Sequence, residues 1–144
     1  MSKLLTFLGL AIASLTVPLN ANNIVTNPGF ETGNLVGWTA NIDWNFWQVP
    51  HTGTYSAGTG DCIQICGNIY QDLATVNGQS YSFSFWYLKN PNNGFKVLWG
   101  GSAVVNIANE TRSPIWTQII LNETATSTST RIEFILGGHP KTGQ

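Results

Sequence analysis

The chain has 144 residues, with six Lys and Arg against seven Asp and Glu, a charged fraction of 9%, and six Trp in an aromatic fraction of 12%. That length fits one domain, scattered charges of net −1 exclude the basic stripe of a polyanion binder, and 42% hydrophobic content excludes charge-driven disorder. Ser, Thr, Asn and Gly fill 56 positions, so what remains is a hydroxyl- and amide-rich domain suited to neutral polar ligands such as sugars, a surface also common in secreted β proteins whatever they bind.

Lys3 followed by the apolar run Leu4 to Val17, then Pro18 and a small residue at Ala21, reads as a secretory signal peptide over 1–21, too short and wrongly flanked for a membrane span. The competing reading is a buried N-terminal helix. Residues 22–144 then form the domain, in an oxidising compartment where Cys62 and Cys66 are candidates for a local disulfide. The alternative is a pair of buried thiols. Two Cys with no adjacent His cannot complete a zinc site.

The domain reads as strands throughout. No segment sustains a 3.6-residue apolar repeat, whereas period-2 alternation recurs. Ile69 to Val76 is strand-like, and Asn77-Gly78 is a hairpin-turn signal. In Gln79 to Leu88 the residues Tyr81, Phe83, Phe85 and Tyr87 point one way, and Ser80, Ser82, Ser84, Trp86 and Leu88 the other. Phe95 to Trp99, the turn Gly100-Gly101, Ala103 to Ile107, Trp116 to Asn122 and Thr130 to Leu136 continue the pattern. Short strands at this spacing predict an all-β fold, a two-sheet antiparallel β-sandwich.

Catalytic groups are thin. His51 lies in a turn, His139 near the end, and the seven acids are dispersed. There is no nucleophile elbow, P-loop, zinc helix motif or dinucleotide fingerprint. The expectation is a binding module and not an enzyme.

Asn23-Ile-Val-Thr-Asn-Pro-Gly-Phe-Glu-Thr-Gly-Asn-Leu-Val-Gly-Trp-Thr39 resembles the opening of cenC-type carbohydrate-binding modules, families four and nine, and of related domains in exported, exosortase-sorted (PEP-CTERM) bacterial proteins. Three further blocks agree in order: His51 to Ala57, Ile69 to Trp86, and Trp116 through Phe134. Phe95-Lys-Val-Leu-Trp-Gly-Gly101 resembles the exosortase-associated branch. The resemblance implies a galactose-binding-like jelly roll. Such domains usually end in a strand containing Leu-Asp-Asp-Val-Ser-Val, whereas this sequence stops at Gly137-Gly-His-Pro-Lys-Thr-Gly-Gln144, which implies a C-terminally truncated domain. The resemblance also implies a structural Ca²⁺ with Glu31 as one ligand and its second acid in the absent strand. The alternative is that Glu31 is a turn acid.

A sugar ring offers an apolar C–H face and a rim of hydroxyls, so an aromatic platform flanked by amides and carboxylates suits it. Trp38, in the Gly-Trp-Thr motif, reads as core. Asp43-Trp-Asn-Phe-Trp-Gln48 interleaves three aromatics with polar side chains, and under alternation Trp44 and Phe46 share one face while Trp47 takes the other. The candidate carbohydrate-binding residues are Trp44, Trp47, Gln71, Trp86 and Trp99, with core packing as the alternative reading of the set. Asn109-Glu-Thr111 and Asn122-Glu-Thr124 are glycosylation sequons that matter only in a eukaryotic host. The sequence thus predicts a monomeric, secreted or surface-borne domain that binds neutral carbohydrate, with a structural or surface-display domain without sugar affinity as the competing class.

Overall fold

A computed structural model of the chain describes residues 22–41, 44–59, 65–89, 94–107 and 113–137. Among these residues there is no helix, and the strands are β1 (Thr39–Ala40), β2 (Trp44–Trp47), β3 (Ser56–Thr59), β4 (Ile65–Ala74), β5 (Ser80–Lys89), β6 (Phe95–Trp99), β7 (Ser102–Ile107), β8 (Ser113–Thr124) and β9 (Ser129–Gly137). All pairings are antiparallel. One sheet has the order β1-β4-β9-β6-β7, while β2-β3 and β5-β8 form two-stranded sheets. The β-sandwich predicted from alternation is the fold observed.

Alternation explains why the layers face each other. In β5, Tyr81, Phe83, Phe85 and Tyr87 turn inward and meet Phe95, Trp99 and Phe134 of the five-stranded sheet at ring-centroid distances of 5.1 to 6.1 Å. Ile69, Val97 and Ile132 are fully buried, each worth roughly 1.5–3 kcal/mol against exposure. Trp38 packs against this core as expected, between Phe30 and Phe134, and its indole N–H donates to the Asn27 carbonyl.

The two glycine turns behave differently. Gly100-Gly101 joins β6 to β7 as a true hairpin, with both φ angles positive, the geometry a two-residue turn between twisted strands requires. Asn77-Gly78 also makes a turn, with the Gln79 N–H donating to the Val76 carbonyl at 3.0 Å and Gly78 at φ +81°. It does not make a hairpin. β4 pairs with β9 and β5 with β8, so the chain crosses between layers here, and the Gly78 N–H is instead taken by the Ala125 carbonyl at 2.7 Å.

Candidate functional site

The outer face of the β5-β8 sheet carries exposed aromatic surface together with polar side chains. Register places Ser82 opposite Asn122, Ser84 opposite Ile120 and Trp86 opposite Gln118, so these six residues share one face. Alternation adds Leu88 and Trp116 to it. Trp86 is 42% exposed and Ile120 63%. The His51 ring lies flat on the Trp86 indole, centroids 3.8 Å apart and planes within 10°. Trp116 meets the same imidazole edge-on at 6.0 Å and 69°. Neither His51 nor Trp116 was among the expected site residues. Parity in Trp116 to Asn122 places Trp116 with Gln118 and Asn122, a signal that could have found it, whereas nothing local announces His51.

Glu31 fixes the loop that delivers His51. Both carboxylate oxygens accept the Thr54 N–H, at 3.0 and 3.1 Å, and Oε1 also accepts the Tyr55 N–H at 3.3 Å. Gly53, at φ +81°, closes the turn, and a Cβ there would run into that carboxylate. The Glu31 oxygens face amide donors, and among the described residues there is no group of three or more His, Cys, Asp or Glu able to hold a metal. Glu31 acts as a loop anchor.

Trp44 and Trp47 sit on β2, which pairs with β3. They face opposite ways. Trp47 is 44% exposed and its indole lies against the backbone of Gly58, where an added Cβ would come within 3.2 Å of Cδ1. Phe46, on the other face, packs edge-on against Tyr55 at 5.7 Å. Trp44 is half-buried, with an indole N–H shielded from solvent and unpartnered among the described residues.

Two expected ligand residues are corrected. Trp99 is 7% exposed, in contact with Tyr81 and Phe83, and its indole N–H donates to the Thr124 carbonyl. It is a core residue with no face left for a sugar. Gln71 is equally buried and its amide is fully used: Nε2 donates to the carbonyls of Thr26 and Gly37, and Oε1 accepts the Thr26 N–H. It clamps the opening loop onto β4. The expected Cys62–Cys66 disulfide falls on Cys62, outside the described residues, as do Asp43 and the 1–21 segment.

The opposite face of the sandwich is polar. Asp72 and Arg131 form a two-pronged ion pair at 2.7 and 2.9 Å, and the guanidinium lies 3.8 Å above the Tyr70 ring. The Arg131 hydrogen bonds hold the Asp72 carboxyl below its ordinary value. Beside them Asn41, Gly67, Asn68, Glu133 and Ile135 line a shallow open hollow of about 230 Å³, in which the Asn68 amide donates to Glu133.

No protein-family model and no curated protein matches the chain. Solved structures do match. One of them is TmCBM61, solved in complex with β-1,4-galactotriose; at a TM-score of 0.66 and 19% identity, the match covers 83% of this chain and 90% of that one. The likeness is one of fold.

Proposed function

We propose that residues 22–144 are a non-catalytic carbohydrate-binding domain of the cenC type, exported behind the 1–21 segment, that holds neutral glycans by aromatic stacking and amide hydrogen bonds. The observation that carries this reading is Trp86: a large indole, 42% exposed, on a sheet face whose neighbours are Ser84 and Gln118. Serine and amide side chains there can bond the hydroxyl rim of a ring that stacks on the indole. Trp47 supplies a second exposed platform on the β2-β3 hairpin. The TmCBM61 fold supports the reading and puts β-1,4-linked galactose oligomers first in the panel to be tried.

The test is titration of the folded domain with a glycan panel by calorimetry, alongside Trp86→Ala and Trp47→Ala. Binding in the millimolar range or tighter, lost in Trp86→Ala, is the expected result. A folded domain that binds no glycan at millimolar concentration would instead be the surface-display domain.

A further inference from the structure

We propose that Trp86 and Trp116 form the walls of a slot for a single neutral pyranose ring, and that His51 is a built-in occupant which the sugar must displace. The inference rests on the carbohydrate-binding reading above and specifies how its site is set. The His51 imidazole sits on the indole at 3.8 Å and 10°, the separation and tilt at which a flat ring makes its best dispersion contact. A pyranose stacking on that face needs the same volume. Trp116 meets the same imidazole edge-on at 6.0 Å, so the space His51 fills touches one indole face and lies beside a second indole.

The occupant is held from outside the slot. His51 belongs to the loop between β2 and β3, and the loop is tied to the opening segment through Glu31 and the Thr54 and Tyr55 N–H groups, with Gly53 allowing the close approach. Around the slot, Gln118 is directly across from Trp86, and Ser84 is two residues along the same face. Their hydrogen-bonding groups stay available when the imidazole leaves. A binding-competent state that is only partly populated lowers apparent affinity by its population, so removing the occupant raises affinity without adding a contact. The slot selects rings with an unsubstituted apolar face, because a charged or axially substituted face cannot take the place of a flat imidazole.

The experiment compares wild type, His51→Ala and Trp86→Ala, each verified as folded by thermal melt, titrated with β-1,4-galactotriose and with xylotriose and cellotriose by calorimetry. Alongside, oxidation of Trp86 by N-bromosuccinimide is followed by peptide mass spectrometry. His51→Ala is expected to bind its best trisaccharide about three- to tenfold tighter than wild type, the worth of one aromatic stacking contact, and to oxidise faster at Trp86. Trp86→Ala abolishes binding. Equal or weaker binding by His51→Ala, with binding still lost in Trp86→Ala, overturns the displacement inference and leaves the carbohydrate site standing. Undiminished binding by Trp86→Ala, or no binding by any of the three proteins, overturns both.

Discussion

The Gln71 side-chain amide donates to the Gly37 carbonyl at 2.7 Å, joining β4 to a loop 34 residues earlier. The same amide holds the Thr26 N–H and carbonyl, so one buried side chain satisfies three backbone groups. Gln71→Leu leaves all three without their partner. Urea denaturation of the variant is expected to show a loss of about 2–4 kcal/mol, because an abandoned buried polar group costs far more than an average hydrogen bond contributes. A loss below about 0.5 kcal/mol would show that water takes over the clamp.

Trp99 and Trp86 are expected to separate cleanly under alanine substitution. Trp99→Ala opens a cavity among Tyr81, Phe83 and Ile132 and should cost about 3–5 kcal/mol, read as a fall in the denaturation midpoint. Trp86→Ala removes an exposed ring from a sheet surface and should leave the midpoint close to wild type while abolishing glycan binding. Equal destabilisation by the two variants would contradict the placement of Trp86 on the outer face.

How far the sequence led is clearest from strand parity. Tyr81, Phe83, Phe85 and Tyr87 had to share a face because a half-buried strand cannot hide its apolar residues otherwise. The same rule places Trp99 with Phe95 and Val97, and Gln71 with Ile69 and Leu73, all of them buried. Parity therefore contained the correction of both residues. Trp86, in phase with Ser82 and Ser84, was legible as outward-facing. Strand partners were not, since Asn77-Gly78 fixes a turn and says nothing of which strands lie beside it. The His51–Trp86 stack joins positions 35 residues apart through a loop whose path depends on Glu31, and no local pattern encodes that.

The anchor at Glu31 gives a prediction about metal. Glu31→Ala frees the Thr54 and Tyr55 N–H groups and should lower stability by roughly 1 kcal/mol, and Gly53→Ala should cost more, because it adds a left-handed backbone penalty of about 1–2 kcal/mol to displacement of that carboxylate. The melting temperature of wild type should be the same in 5 mM Ca²⁺, about a millimolar-site concentration, as in chelator. A rise of several degrees on adding calcium would instead support the ligand role that the resemblance implies for Glu31.

The Asp72–Arg131 pair sets a pH dependence of known sign. Because its hydrogen bonds with Arg131 lower the Asp72 carboxyl in the folded state, the stabilisation is present above the unfolded value near 3.9 and is lost as pH falls through the folded one. Asp72→Asn should therefore melt slightly below wild type at pH 6 and together with it at pH 2. The difference at pH 6 should be small and shrink with salt, since both side chains are about half exposed. Thermal melts across that range check it.

The crossing of the chain between layers at Asn77-Gly78 carries a kinetic consequence. With β4 paired to β9 and β5 to β8, Leu73 finds Thr130 and Ser80 finds Thr124, so neither long strand can form its ladder with its immediate neighbour in sequence. The nearest paired positions, Lys89 with Ser113 and Ala74 with Ser129, lie 24 and 55 residues apart, so long loops must close before those ladders repay the entropy, which puts folding in the millisecond-to-second range typical of sandwiches dominated by distant contacts. Only the β6-β7 hairpin, turning at Gly100-Gly101, and the short β2-β3 pair can assemble early. The inward aromatic row of β5 then stays open to solvent until the sheet that carries Phe95, Trp99 and Phe134 packs against it, so the layer that presents Trp86 depends for its core on the slower β4-β9 closure.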